Sequence, residues 1–516
     1  MPIGKKIFIN TWKTGLKRTN LYNPDSPITK SQFLTYFRCA NAFRIVREAL
    51  VEKSQPPFGG SLEWFEFLEI CRLRFENFPI IDRKQNKEEA TNQTIEYLTQ
   101  KKSVFQAHIK SEHFFTIVEC LEYDSLSDGF FVWDFRPVGS IKLDILRSFY
   151  FHKQVLEEIG FKVSGFKLFR INTKLIFDGS KPYPQEILQF DDLTQRMVSD
   201  ENHRKEEWEN FENYLKTRPP IQFLNPEPTC RSIKNCLSPN HCLEGENRIL
   251  EIFDLRDSSE IAKPLFSEGY QTYASLPNES LSPIQKIQKD AHVTNTAYIA
   301  HAQLRQFLTN VTKNVAFLDF ESINPVLPLF PKTKPFQHVP FLYSLHIWDS
   351  EKDELIHKTY VHKENTDPRK SILESLERDL PLGITIISFN DFFEKLIIQE
   401  SAEVYNEHLN FWEAVKPMFL DLALPFKNFW IYHPAQNGKA SLKDILPALS
   451  SENHKGLKIR EGQDANYQYL RLLKKQVTDE EKKRVLEDLE EYCKLDSFGL
   501  FLIYRKIQEY LSVSQC

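Results

Sequence analysis

The chain has 516 residues, enough for two or three domains that each bury a core. Hydrophobic residues make up 41% and charged residues 27%, with 41 Phe and only 16 Gly, which excludes a low-complexity or linker-dominated protein. A chain that grips duplex DNA by bulk electrostatics usually carries a basic excess, whereas the formal net charge here is -5, so any nucleic-acid contact must be local. Metal ions held by carboxylates would add positive charge that the formal count omits. No apolar run is long enough to span a bilayer. Lys5, Lys6, Lys13, Lys17 and Arg18 precede no apolar stretch of the secretory kind, so the expected address is the cytoplasm, with no membrane partner.

In chain order, residues 28–53 open with Thr29-Lys30-Ser31 and continue with an amphipathic period, which predicts a capped helix containing Cys39. Residues 104–138 alternate as strands, 145–159 have a helical period, and 166–171 read as a further strand. Residues 201–216 are highly charged and predict a solvated helix. Pro219-Pro220 and Pro226-Glu227-Pro228 mark a boundary. Residues 245–310 predict a small helical connector. Val315 to Leu318 opens a second α/β unit as a buried strand, 384–389 is another strand with a helix from Phe392, and the last helix runs from Asp479 to Tyr510. The expected domains are therefore 1–244, 245–310 and 311–516.

Three segments of the last unit carry acids. In Leu318-Asp319-Phe320-Glu321 the strand period puts both carboxylates on one face. Two acids beside an apolar run are costly unless a divalent cation neutralises them. Asn390, placed to cap a helix, precedes Glu394 by four residues. Tyr492 and Asp496 are i and i+4 in a helix and project to one side.

The order D-x-E, N-x-x-x-[DE], Y-x-x-x-D resembles the DEDD exonucleases, in the subgroup with Tyr in the last motif, over Val311 to Leu511. The resemblance implies an RNase H-like fold, two Mg²⁺ or Mn²⁺ ions and 3′–5′ hydrolysis of DNA or RNA, with single-stranded 3′ ends as substrate. It implies that Asp319 bridges both metals, Glu321 and Asp496 hold the water-activating one, Glu394 serves the second, and Tyr492 orients the water. The third acid is usually Asp, and here it is Glu394. Further segments, including Pro335-Phe336-Gln337, Pro340 to His346, Asp367-Pro368-Arg369, Asp421-Leu422 and Ser441 to Leu449, resemble a bacterial family of nuclease-like proteins. That family has Gln where Leu342 stands. Lys443 is a candidate phosphate contact, against the plainer reading of a solvated surface charge.

Cys230, Cys236 and Cys242 cluster after the Pro-rich boundary, and in a chain of this kind such thiols are more often metal ligands than disulfides. Cys39 is the candidate fourth ligand for a zinc site or a cubane cluster. The one-plus-three arrangement resembles RecB-type nucleases with an iron–sulfur staple. That resemblance implies a [4Fe–4S] cluster, with a zinc knuckle or free thiols beside His241 as the plainer readings.

The same resemblance implies a restriction-endonuclease-like PD-(D/E)xK core in the front half. Its matching positions are Glu119, Asp134 and Arg136, with Arg where Lys is expected. Arg stays protonated and is a poor proton shuttle. Ser148 and His152 stand where the family has Asp and Gln, and Lys142 is a possible substitute for the missing Lys. The front half is therefore expected to be a degenerate nuclease fold that binds nucleic acid or acts as a scaffold. The rival reading is a binding protein with two decayed nuclease folds. Oligomeric state leaves no signal in the sequence.

Overall fold

The computed structural model describes residues 26–47, 60–217 and 251–513, except positions 76, 83 and 259. Helix and strand mix throughout, so the α/β reading holds. No helix among the described residues is long and apolar enough to cross a membrane.

The first helix starts where the sequence indicates. Thr29 Oγ1 accepts the Gln32 N–H at 3.4 Å, and Gln32 Oε1 accepts the Thr29 N–H at 2.9 Å, a reciprocal cap. The helix Lys30–Arg38 then stops at Cys39, whose backbone is extended, and Ala40–Arg47 begins anew. The single helix expected over 28–53 is thus two pieces as far as it is described. Cys39 Sγ accepts the Ala42 N–H at 3.3 Å and starts the second.

The front half is built on a six-stranded sheet. Its strands are β1 (Ile28–Thr29), β2 (Val104–Lys110), β3 (Phe114–Asp124), β4 (Gly129–Arg136), β5 (Val163–Ile171) and β6 (Leu188–Asp192). β3 pairs with β2 and β4 antiparallel, and β4 pairs with β5 parallel. The parallel pair is bridged by the helix Leu143–Glu158, as a parallel crossover requires. Helices cover one face with Phe33, Phe149, Phe151 and Phe211. The helix Glu201–Thr217 forms with the solvated face expected, and it also buries one stripe. Its charges hide a stripe at Arg204, Trp208 and Phe211, and the two rings lie 5.4 and 5.1 Å from Phe33.

The connector holds a small core of its own around Ile252, Leu265 and Tyr273. Its last part is not separate. β7 (Tyr298–Ile299) pairs with β13 (Ile431–Tyr432), and Leu304 packs in the same core as Leu500 and Ile503 of the last helix.

The back half carries a five-stranded sheet of β8 (Asn314–Ile323), β9 (Val339–Asp349), β10 (Glu354–Val361), β11 (Thr385–Ser388) and β12 (Phe419–Asp421). Their order is β10-β9-β8-β11-β12. β9 is antiparallel to β8 and β10, whereas β8, β11 and β12 run parallel. β8 is central and covered on both faces, which explains its nearly unbroken apolar run. Ala316, Leu318 and Phe320 face the helices Arg369–Asp379 and Phe392–Val404. Val315 and Phe317 face the last helix, Asp479–Val513. That helix has 35 residues and so spans about 52 Å along the sheet.

The two halves share a core. The segment after β8 inserts Leu327 among Phe67, Phe177 and Tyr183 of the front half. The Leu327 N–H donates to Glu63 Oε1 at 3.4 Å, and the Tyr183 hydroxyl donates to the Pro328 carbonyl at 3.0 Å. Phe336 in this segment holds φ 64°, a left-handed conformation that costs a bulky residue about 1–3 kcal/mol and persists only where packing enforces it.

Candidate metal centre

Alternation along β8 fixes where its acids point. Asp319 and Glu321 follow Val315 and Phe317 on the face beneath the last helix. The last helix supplies the third acid. Leu489, Cys493, Leu500, Ile503 and Ile507 form its buried stripe, and Asp496 occupies a position in that stripe where the period calls for an apolar residue. Oxygens of Asp319, Glu321 and Asp496 consequently all lie within 4.8 Å of one another. Glu321 and Asp496 are buried, and Asp319 is partly open. The register between β8 and β9 shifts between Glu321 and Ser322, a bulge of the kind that re-aims side chains beside functional sites.

Glu394 lies beside the triad rather than within it. It sits in the first turn of the helix Phe392–Val404 and is 4% exposed. Asn390, expected to cap this helix, does not do so. It takes a left-handed backbone at φ 68°, which Asn tolerates, and its side chain accepts from Lys427 at 2.9 Å. The Asn390 N–H donates to Asp421 Oδ1 at 2.7 Å, so the end of β12 shapes the turn that aims Glu394. Glu394 Oε2 is buried with no hydrogen-bond partner, and so is Ser388 Oγ at the end of β11. Orphaned buried oxygens are rare and call for a specific explanation such as an ion.

The electrostatics point the same way. Burial, then the Asp496 charge, pushes the Asp319 carboxyl well above its usual range; a hydrogen bond from Cys493 and the Lys443 charge oppose this. Burial and the charges of Asp319 and Asp496 push Glu321 up, and burial with Asp319 does the same to Glu394. Burying such groups costs several kcal/mol per ion without compensation. A hard divalent cation with oxygen ligands fits the donor set, the mutual distances and the orphaned Glu394 oxygen.

The surroundings are packed. The Cys493 thiol donates to Asp319 Oδ2 at 3.2 Å. Tyr492 is buried, and burial followed by the Asp496 charge keeps its phenol protonated. The Lys443 ammonium stands 5.0 Å from the Tyr492 ring centre and donates to the Arg460 carbonyl at 2.6 Å. Leu342 is the direct cross-strand neighbour of Glu321. Ser344 is the neighbour of Asp319, and its hydroxyl lies 2.7 Å from that of Ser497, which is also 2.8 Å from His346 Nδ1. Burial pushes the His346 imidazole down to about 3. This neutral network pins the last helix to β9 one residue from Asp496. Sequence reading gave His346 no role and missed Ser497 and also His454, whose Nε2 is 2.8 Å from Asp496 Oδ1.

The front-half candidates assemble differently. Asp134 and Glu119 are buried, but Arg136 Nε lies 2.7 Å from Asp134 Oδ2. Burial pushes Asp134 up, yet Arg136, Lys30 and His152 outweigh it and hold the carboxyl below its ordinary range. Lys30, unflagged by any motif, lies with Nζ 3.3 Å from His152 Nε2, while His152 Nδ1 is 3.0 Å from Thr116 Oγ1. Lys142 is exposed before the helix Leu143–Glu158, and the Ser148 hydroxyl donates to the Asp144 carbonyl within it. Cys39 is half-buried between its two helices. Cys230, Cys236 and Cys242 lie outside the described residues.

Residues 316–441 match a family model described as "Domain of unknown function (DUF2779)". Neither the curated proteins nor the solved structures gave a match.

Proposed function

We propose that the back half is a metal-dependent 3′–5′ exonuclease acting on single-stranded ends of DNA or RNA. The observation that carries this reading is the convergence of Asp319, Glu321 and Asp496 within 4.8 Å, with the unpartnered Glu394 oxygen beside them. A mixed sheet with acids on its central strand, at a neighbouring strand-to-helix turn and on a helix across its face also supports an RNase H-like architecture.

Asp319, Glu321 and Asp496 would hold one divalent ion, and Asp319 with Glu394 a second. Two such ions supply Lewis acidity and charge neutralisation at the scissile phosphate, on the attacking and the leaving side. The protein's own part is to fix the carboxylates, exclude bulk water and offer a proton donor. Tyr492, kept protonated, is a donor at the site's edge. Lys443 adds a positive charge that acts on both Asp319 and Glu321 and suits a phosphate neighbour.

The front half serves this reading as a scaffold. Its Asp134 is already neutralised by Arg136, which suits a retired nuclease core better than a working one. A [4Fe–4S] staple of Cys39, Cys230, Cys236 and Cys242 belongs to the same proposal, with zinc as the alternative. The test is release of acid-soluble nucleotide from single-stranded DNA and RNA with Mn²⁺ or Mg²⁺. Wild-type protein should release it and Asp319→Asn should not. Equal release by both would overturn the reading and favour a binding protein.

A further inference from the structure

His454 lies on a short turn, His454–Gly456, between the helices Leu442–Leu449 and Gly462–Leu473. It is 7% exposed, and its Nε2 stands 2.8 Å from Asp496 Oδ1. Its ring also meets that of Tyr492, with centres 5.7 Å apart and planes at 60°. Asn453 Oδ1 accepts the Lys455 N–H at 3.0 Å and shapes the turn, and the Leu457 N–H closes it on the His454 carbonyl at 3.2 Å. The Lys443 ammonium then bonds the Arg460 carbonyl across a span of 17 residues. The segment between them is thus a strap, tied at both ends, that holds one imidazole on one carboxylate.

That carboxylate needs a fixed geometry. Asp496 is on a helix and reaches toward acids on a strand, so its rotation about the side-chain bonds decides which oxygen faces Asp319 and Glu321. An imidazole N–H on Oδ1 settles the rotation and leaves Oδ2 for another partner. Groups that orient metal-binding carboxylates in this way typically affect metal affinity by about 10–100-fold. Resting on the exonuclease reading of this centre, we propose that His454 is a positioning residue that orients Asp496 for divalent-metal binding. It acts through Asp496 and touches neither the phosphate nor the ion. The motif signature ends at Tyr492 and Asp496, and this chain adds a further support from a separate element.

The test is Mn²⁺ binding by calorimetry on the full chain, for wild type, His454→Ala, His454→Gln and Asp319→Asn, with circular dichroism and thermal denaturation on each. The Gln amide can place a donor where the imidazole Nε2 was. Expected are a 10–100-fold weaker Mn²⁺ affinity for His454→Ala, at the magnitude usual for such groups, and near-wild-type affinity for His454→Gln. If His454→Ala binds Mn²⁺ like wild type while Asp319→Asn loses it, the metal centre stands and the role of His454 is overturned. If Ala and Gln variants lose binding equally with their folds intact, His454 is itself a ligand and the positioning role is overturned. Absence of Mn²⁺ binding by the wild type overturns the metal centre, a result separate from either of these.

Discussion

Arg136 Nε lies 2.7 Å from Asp134 Oδ2, two residues along one strand and on one face of it. The Asp134 side chain is nearly closed off, at 2% exposure against 28% for Arg136. Removing one partner of such a pair leaves an uncompensated buried charge, at a cost of about 3–5 kcal/mol. Arg136→Ala should therefore lower the unfolding midpoint in urea strongly, and Asp134→Asn with Arg136→Met should recover most of the loss. Asp134→Asn alone should leave metal-dependent cleavage by the back half unchanged. Loss of cleavage in a folded Asp134→Asn variant would mean that the front half is catalytic.

The insertion of Leu327 into the front-half core ties the segment after Glu321 to a second sheet. Leu327→Ala removes a fully buried side chain and should cost about 2–5 kcal/mol in denaturant unfolding. Leu126 is 96% exposed, and Leu126→Ala should change nothing measurable. Because the segment leaves β8 directly after the acids, Leu327→Ala should also weaken Mn²⁺ binding. Wild-type stability in this variant would refute the shared core.

The raised carboxylates give stability a pH dependence whose sign can be worked out. Asp319, Glu321 and Glu394 hold their protons to higher pH in the folded chain than in the unfolded one. Their contribution is complete below the ordinary carboxylate range, about pH 4, and is lost as pH rises through the elevated values. Thermal stability without divalent metal should decline on this account as pH rises above the ordinary carboxylate range, about pH 4. Mn²⁺ competes with those protons, so its stabilising shift should grow with pH. Thermal denaturation with and without Mn²⁺ at rising pH checks this. A shift as large at the acid end as at the alkaline end would contradict it.

The staple is tested by colour. Anaerobically purified protein should be brown, with broad absorbance near ~400 nm from thiolate-to-iron charge transfer. Cys236→Ala should lose the colour and expose the front half to protease, because closing so long a loop makes metal binding part of folding. Mn²⁺ binding at Asp319 should persist. Colourless protein with stoichiometric zinc would replace the cluster with a zinc knuckle.

Much of the acidic cluster is written in local sequence. β8 is legible because a strand buried on both faces must be apolar, so acids at Asp319 and Glu321 stand out. Asp496 is legible because it stands four residues after Tyr492 in a helical segment and completes the order of the three acidic motifs. His454 is not, since its turn has no period and its partner is 42 residues away. Lys30 meets His152 across 122 residues, which no motif spacing encodes. Asn390 reads as a cap in the sequence, but its fit to the turn depends on Asp421, from a different strand. Trp208 and Phe211 are hard to pick out because charged residues outnumber them in the same helix.

The most direct measurement follows a 5′-labelled single-stranded oligonucleotide, as DNA and as RNA, with Mn²⁺ on a sequencing gel. Wild type should give a ladder that shortens one nucleotide at a time from the 3′ end. Asp319→Asn should give none, and Glu394→Gln should be slowed at least tenfold, the loss of about 1.4 kcal/mol or more of transition-state stabilisation. An intact oligonucleotide with wild-type protein, or a ladder of equal rate from Asp319→Asn, would contradict the account.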